Sequence, residues 1–248
     1  MSIFRDLLKT ANERGGGYIV LIDPDKLEKA KSIDLAAKAA RGGADAIFVG
    51  SSMLLNSGLD DLVKAIKNVV DIPVIMFPGS TMQICKHADA ILFLSLISGR
   101  NPYYLIGEQV KAAPIIRHHG VEPISTGYML IESGKLTSAE FMSNTRAMPR
   151  GKFDIAKATA LAAQYLGMKM IYLEAGSGAE KAVKVEMVRE VSDYVNLPVI
   201  VGGGLRKPEQ ARARVEAGAN FIVTGNVLES NSDLSLIRAF AEATHVNE

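Results

Sequence analysis

Three segments of the chain end in residues that suit the chemistry of a phosphorylated, hydroxylated substrate. Glu174 closes a short apolar run, and its carboxylate can accept hydrogen bonds from substrate hydroxyls or take a proton from one of them. Glycines end two later runs, at 202–204 and at Gly225. Because glycine lets phosphate oxygens approach backbone N–H groups, we interpret these two ends as an anion site in preference to plain tight turns.

The segment that carries Glu174 also predicts which neighbours share its site. Side chains alternate between the two faces of a strand, so Tyr172, Glu174 and Gly176 lie on one face and Leu173 on the other. In an isolated strand, a structural ion pair would explain Glu174 equally well. Gly176 and Gly178 follow closely and supply further backbone amides, which favours a functional role.

A carboxylate at the end of the first apolar run suits a divalent cation. Asp23 stands there, and Mg²⁺ prefers a few protein oxygens together with phosphate oxygens of the substrate. Ser51 and Ser52 end the second run, and their hydroxyls can join the same shell. Asp-Pro is also a common turn, so Asp23 alone is weak evidence for a metal site.

Eight short apolar runs must position these residues. They are residues 18–23, 46–50, 73–78, 90–95, 122–126, 170–175, 198–202 and 221–225. Near-continuous apolar strands with helices between them predict a parallel sheet that is covered on its outer face, and eight strands close a barrel. The length of 248 residues is also usual for one such barrel. We therefore predict a single (β/α)8 TIM-like barrel domain over residues 1–248.

Helical spacing appears between most of these runs. The predicted helices are residues 32–41, 60–69, 154–166, 182–194 and 209–217. Asp60 and Asp154 are expected N-caps, and Gly42 and Gly218 fall where glycines end helices.

Two connections depart from the regular pattern. About ten residues separate the third run from the fourth, whereas a crossover helix with its loops needs a dozen or more. We therefore predict that the third helix is stunted or missing and leaves a gap in the outer ring. Residues 133–152 form a long polar connection, for which an active-site loop and an ordinary surface loop remain alternatives.

Composition excludes several classes of function. Lys and Arg number 28 against 27 Asp and Glu, so no global field would recruit nucleic acid. The single Cys85 excludes an internal disulfide, and the four histidines show no metal-ligand spacing. The longest apolar run, near residues 90–97, is too short for a transmembrane segment, and no signal peptide is visible. We expect a soluble, cytoplasmic protein.

The strand-end motifs together resemble the geranylgeranylglyceryl phosphate synthase family, to which bacterial heptaprenylglyceryl phosphate synthases are related. The matching segments are LIDPDK (21–26), VGSSM (49–53), FPGS (77–80), SGRNPYYLIGEQVKAAP (98–114), PISTGYMLIESG (123–134), YLEAGSGA (172–179), VGGGLR (201–206) and VTGN (223–226). They run through nearly the whole chain in order. The segment 98–114 is the most specific and is similar to the larger, mainly archaeal group.

The resemblance implies an Mg²⁺-dependent prenyltransferase of ether phospholipid biosynthesis. It would join a prenyl diphosphate, with geranylgeranyl diphosphate the expected donor, to the sn-3 hydroxyl of sn-glycerol 1-phosphate and release diphosphate. Carried over by position, Asp23 and Ser52 correspond to the Mg²⁺ ligands, although Ser51 stays an alternative to Ser52. The implied glycerol phosphate site comprises Tyr172, Leu173, Glu174, Ala175, Gly176, Ser177, Gly178, Gly203, Gly204, Gly225 and Asn226.

Further expectations concern roles and assembly. Glu174 would orient the glycerol hydroxyls and act as the base, if it is more than an orienting group. Tyr103, Tyr104 and Ile97 are candidate walls of a prenyl groove beside the missing helix. The resemblance implies a homo-oligomer, either a dimer or a hexamer. The alternatives are a phosphosugar isomerase or lyase on the same barrel, and a non-catalytic ligand-binding barrel.

Overall fold

Eight parallel strands pair each with the next along the chain, and the first also pairs with the last, which closes the barrel. The computed structural model describes residues 2–55, 58–230 and 232–247. The strands are β1 (Gly17–Ile22), β2 (Ala46–Val49), β3 (Val74–Met76), β4 (Ala90–Leu96), β5 (Glu122–Leu130), β6 (Met170–Glu174), β7 (Val199–Gly202) and β8 (Phe221–Thr224). The predicted barrel is confirmed, since a strand overlaps each of the eight predicted runs.

Ten helices surround the barrel in the described ranges. They are α1 (Ile3–Arg14), α2 (Lys29–Arg41), α3 (Leu59–Lys67), α4 (Glu108–His119), α5 (Ser138–Ser143), α6 (Phe153–Tyr165), α7 (Val185–Ser192), α8 (Pro208–Val215), α9 (Asn226–Ser230) and α10 (Leu234–Thr244). The five predicted helices are present with shifted ends. The prediction that Asp60 and Asp154 are N-caps is wrong, because Gly58 and Lys152 occupy those positions. Both aspartates lie in the first turn instead, where a carboxylate complements the helix dipole.

The strands bury side chains on both faces. In β6, Tyr172 belongs to the cluster that fills the barrel, whereas Leu173 packs outward among the helices. The inner cluster also contains Ile19, Phe48 and Leu92, and residues of α1 lie at its base. The alternation that the sequence predicts for β6 is therefore present, and it turns Tyr172 and Glu174 away from the outer layer.

The connection between β3 and β4 contains no α-helix. A single 3₁₀ turn, Thr81–Gln83, replaces it, as the short spacing predicted. The outer face of β4 is consequently covered in part by α4 and by the π-helical segment, Tyr103–Gly107, that leads into it. This gap lets a groove run from the top of the barrel along β4. No helix in the described parts of the chain is long and apolar enough to cross a membrane.

Candidate active site

A deep cleft opens at the carboxyl ends of the strands and encloses about 1480 Å³ of space free of protein atoms, part of it open to solvent. One end is polar and includes Asp23, Glu174 and Asn226. The other end is apolar and extends through the gap beside β4. The two ends are continuous, so one polar ligand and one apolar ligand can bind side by side in the same cleft.

Glu174 is buried at the polar end, at the last position of β6. One of its carboxylate oxygens, Oε1, accepts a hydrogen bond of 2.6 Å from the backbone N–H of Gly176. Burial raises the pKa of Glu174 to about 7, although the Gly176 N–H and the Tyr172 hydroxyl offset part of that effect. A carboxyl group with a pKa near neutrality can exchange a proton with a bound hydroxyl at physiological pH.

An aromatic cluster surrounds this carboxylate. The ring of Phe77 stacks on Tyr172 at 5.2 Å between centroids, and Tyr128 meets Tyr172 edge-on at 5.4 Å. Burial and the charge of Glu174 raise the pKa of Tyr172 well above its ordinary value, so its hydroxyl remains a donor. This buried hydroxyl lies close enough to the Glu174 carboxylate to influence its pKa, but it makes no well-aligned hydrogen bond within the described residues. Buried polar groups are seldom left unpaired, so this hydroxyl is available to a ligand in the cleft.

The sequence analysis did not identify Phe77 or Tyr128 as site residues. Both lie within segments that carried the family resemblance, and Tyr128 faces inward on β5 with the inner cluster. Their roles depend on three strands converging, which no local pattern reveals.

Two glycines at the end of β7, Gly202 and Gly203, leave room for Glu174 and Tyr172. A Cβ atom on Gly202 would lie 2.4 Å from the Tyr172 hydroxyl, and one on Gly203 would lie 2.4 Å from Glu174 Oε1. Gly203 and Gly204 also adopt left-handed backbone, with φ of 79° and 70°. Glycine at these positions therefore serves packing and turn geometry, and the anion-binding role of the two glycine-rich ends stays a prediction.

A closed ring of hydrogen bonds joins the ends of three strands. Lys26 Nζ donates to Ser177 Oγ at 2.8 Å and to Glu229 Oε1 at 3.1 Å. Ser177 Oγ donates to Asn226 Oδ1 at 3.0 Å, and Asn226 Nδ2 donates to Glu229 Oε2 at 3.0 Å. The N–H of Gly178 also donates to Asn226 Oδ1 at 3.0 Å. Lys26 and Glu229 were not predicted as site residues.

The candidate metal residues lie on the opposite wall of the polar end. Asp23 Oδ1 accepts from the N–H of Asp25 at 3.0 Å, and Oδ2 lies 3.5 Å from Lys26 Nζ. The Ser51 hydroxyl donates to the Met53 carbonyl at 3.0 Å, whereas the Ser52 hydroxyl makes no hydrogen bond within the described chain. An oxygen-only donor set at an open cleft fits Mg²⁺, which keeps waters and takes phosphate oxygens from its substrate.

Apolar side chains from the β3–β4 connection, β4 and α4 form the other end of the cleft. They are Ile84, Ile91, Phe93, Tyr104, Ala112 and Ile116. Of the three predicted wall residues, Tyr104 lines this part. Tyr103 is 45% exposed and does not line it, and Ile97 packs behind β5 against Gly127. The prediction was wrong for those two, because the π-helical segment turns Tyr103 away from Tyr104 and Ile97 packs in the outer layer.

The structure brings most predicted site residues to one cleft. Its lining includes Asp23, Ser52, Tyr172, Glu174, Ser177, Gly203, Gly204, Gly225 and Asn226. The side chains of Leu173 and Ala175 instead pack in the outer layer. The connection at 133–152 also reaches the site, since a Cβ atom on Gly176 would lie 2.4 Å from Thr137 Cγ2.

Known proteins resemble this chain in both sequence and fold. Residues 8–244 match the PcrB family. The chain belongs to the PcrB family. A geranylgeranylglyceryl phosphate synthase of Chitinophaga pinensis is 47% identical over 228 residues, which cover 92% of this chain and 90% of that protein. Another, of Korarchaeum cryptofilum, is 47% identical over 225 residues and covers 90% and 92%, respectively.

A solved structure extends the likeness to the fold of this PcrB-family chain. The (S)-3-O-geranylgeranylglyceryl phosphate synthase from Thermoplasma acidophilum, in complex with sn-glycerol-1-phosphate, superposes with a TM-score of 0.94. It is 36% identical, and the match covers 99% of each chain. The resemblance drawn from the strand-end motifs is thereby confirmed, as is the prediction of an enzyme of this kind. The alternatives of a phosphosugar enzyme and a non-catalytic barrel are not supported.

Proposed function

We propose that the cleft joins a prenyl diphosphate, with geranylgeranyl diphosphate the expected donor, to the sn-3 hydroxyl of sn-glycerol 1-phosphate. A carbon–oxygen ether bond forms, the allylic carbon–oxygen bond to diphosphate breaks, and the hydroxyl proton leaves. The observation that carries this proposal is the continuity of the polar end around Glu174 with the apolar groove. One substrate is small and polar and the other has a long apolar tail, which matches that division.

Glycerol phosphate would occupy the polar end. The backbone amides at Gly203–Gly204 and Gly225–Asn226 are expected to hold its phosphate, and Glu174 with Tyr172 would orient its hydroxyls. The elevated pKa of Glu174 suits removal of the proton as the new bond forms. Burial beside the aromatic rings thus makes Glu174 more basic, and the Tyr172 hydroxyl supplies a fixed hydrogen-bond contact for the substrate.

Mg²⁺ would be held by Asp23 and Ser52 beside this end. When bound, the ion would neutralise charge on the leaving diphosphate. The Ser51 hydroxyl is engaged with Met53, which supports Ser52 as the partner of Asp23. The prenyl chain would then extend along the groove beside β4, past Tyr104.

A homo-oligomer, either a dimer or a hexamer, is part of the same proposal. Large apolar side chains that are exposed on the outer helices support it, among them Tyr165 at 78% and Leu166 at 74% exposed. Light scattering of the purified protein would measure the mass of the assembly, and a monomer at micromolar concentration would contradict this part.

Product analysis tests the reaction directly. Purified protein is incubated with sn-glycerol 1-phosphate, Mg²⁺ and prenyl diphosphates of several lengths, and the products are identified by mass. We expect a prenylglyceryl phosphate ether that is absent when the metal is chelated. The enantiomer sn-glycerol 3-phosphate is the matched control and should react far more slowly. A phosphosugar product, or no ether from any chain length, would overturn the proposal.

A further inference from the structure

The cleft is poor in positive charge for a site that takes two phosphorylated substrates. Among the described residues that line it, Asp23, Glu108, Glu174 and Glu229 are acidic, and Lys26 is the one basic side chain. Backbone amides can hold a phosphate without a base, and a metal ion can offset part of a diphosphate. The single ammonium among four carboxylates nevertheless carries the strongest fixed attraction for an anion in the cleft.

The position of Lys26 links the two parts of the polar end. Its Nζ lies 3.5 Å from Asp23 Oδ2, on the side expected to hold the metal. It also donates to Ser177 and Glu229, on the side expected to hold glycerol phosphate. The Lys26 side chain is 37% exposed, so its charge faces the open cleft instead of the protein interior.

We propose that Lys26 binds the diphosphate of the prenyl substrate and that Glu229 positions its ammonium group. This inference rests on the proposed function. An ammonium has three donor hydrogens, and a charge-assisted bond to a phosphate oxygen is stronger than one to a neutral hydroxyl. Diphosphate gains negative charge as the allylic bond breaks, so a positive group already fixed beside it stabilises the departing oxygen.

The contact between Lys26 and Asp23 explains why diphosphate, and not glycerol phosphate, is the ligand that we assign to Lys26. The contact between Lys26 and Asp23 is an ion pair of 3.5 Å without a hydrogen bond, and it lies where a metal-bound diphosphate would meet the ammonium. Glycerol phosphate has backbone amides for its own negative charge. Loss of Lys26 should therefore weaken the binding of diphosphate far more than the binding of glycerol phosphate.

Glu229 opposes an anion in the same place. Its side chain is 15% exposed, lines the cleft and accepts from Lys26, so its negative charge competes with diphosphate for the ammonium. Glutamine at this position keeps an oxygen that Lys26 Nζ can reach, so it can still position the ammonium group, but it lacks the charge. We therefore expect Lys26→Met and Glu229→Gln to shift diphosphate affinity in opposite directions.

Calorimetric titration of the full-length protein tests this assignment without turnover. Inorganic diphosphate with Mg²⁺ is titrated into wild type, Lys26→Met, Lys26→Arg and Glu229→Gln, and sn-glycerol 1-phosphate is titrated in parallel. Lys26→Met should weaken diphosphate binding about 10- to 100-fold, as expected for one lost charged hydrogen bond. The affinity for glycerol phosphate should change little. Lys26→Arg should recover most of the affinity, and Glu229→Gln should bind diphosphate more tightly than wild type.

Lys31→Met is the matched control, because Lys31 carries the same charge in α2 but is 68% exposed and pairs with Glu28 outside the cleft. It should bind both ligands as wild type does. Equal weakening of both ligands in Lys26→Met, or unchanged diphosphate binding, would overturn the assignment. Thermal unfolding checks each variant, and Lys26→Gln replaces the methionine variant if that one unfolds. Failure of the proposed function would appear separately, as absence of ether product from wild type.

Discussion

Two buried carboxylates lie at opposite ends of the barrel and differ in how completely they are paired. Asp45, at the amino-terminal end, accepts from the Tyr18 N–H at 2.7 Å, from Arg14 Nη1 at 2.7 Å and pairs with His245 Nε2 at 2.8 Å. Three partners around one carboxylate join β1, α1 and the segment after α10. This cluster therefore stabilises the amino-terminal end of the barrel.

Glu174, at the other end, is as deeply buried but accepts one backbone hydrogen bond. Its neighbour Tyr172 keeps an unpaired hydroxyl within the described structure. A carboxylate with its partners supplied is stabilising, whereas one left short of partners costs folding free energy and remains available to a ligand. Pairing, not burial, therefore distinguishes the structural end of this barrel from the chemical end.

The largest expected effect is on turnover in Glu174→Gln. Glutamine keeps the shape but loses the charge and basicity, and general-base catalysis contributes about 10²–10⁴-fold. We expect kcat to fall within that range while binding of prenyl diphosphate changes little. Thermal unfolding should show no loss of stability, since a neutral amide is cheaper to bury than a carboxylate. Turnover equal to wild type, at saturating substrate with chemistry rate-limiting, would make Glu174 a structural residue.

Asp45→Asn should show the reverse pattern. The substitution removes the negative charge that Arg14 Nη1 and the Tyr18 N–H contact at this position, so we expect a loss of about 2–4 kcal/mol in the free energy of unfolding. At a temperature where the variant is folded, kcat should stay close to that of wild type. Chemical denaturation measures the first and initial rates the second. A variant of normal stability but low kcat would contradict the division between the two ends.

A smaller effect is expected at the phosphate loops. Gly225→Ala places a Cβ 3.2 Å from the Leu21 carbonyl oxygen, which a slight shift accommodates. Gly204 has a left-handed backbone, and a Cβ added there would lie 2.8 Å from the Ala182 nitrogen. Gly225→Ala is therefore the cleaner variant. The KM for glycerol phosphate should rise about tenfold, as for one weakened charged hydrogen bond, with the KM for prenyl diphosphate nearly unchanged.

Gly151→Ala is the control for that series, since a Cβ there meets open space. Steady-state kinetics with each substrate varied in turn separates the two KM values. Equal increases in both would count against phosphate binding at Gly225.

The pH dependence sharpens the comparison further. The base form of Glu174 dominates above its pKa of about 7, so kcat/KM for glycerol phosphate should fall roughly tenfold per pH unit below 7 and level off above it. The phosphate group of the substrate also titrates in this range, because its second pKa is about 6. Glu174→Gln retains that substrate titration and should lose only the limb near 7. A wild-type profile without this limb would exclude Glu174 as the base.

Local patterns predicted the strands well and some helices poorly. Each strand is a short apolar run between turn residues, which a sequence displays directly. The helix α4 was not predicted, because Pro114 stands inside it and proline normally ends or kinks a helix. The two predicted aspartate caps failed because each helix is capped two residues earlier, at Gly58 and Lys152.

The sequence by itself determined the barrel, the short third crossover and the face on which Glu174 lies, because these follow from spacing and strand alternation along the chain. Its strand-end motifs indicated the family by resemblance. Only the tertiary structure decided the chemical state of that carboxylate, since its pKa depends on burial among the rings of Phe77, Tyr128 and Tyr172 from three strands. The same holds for Lys26 and Glu229, which are 203 residues apart and meet because β1 and β8 are neighbours in the closed barrel.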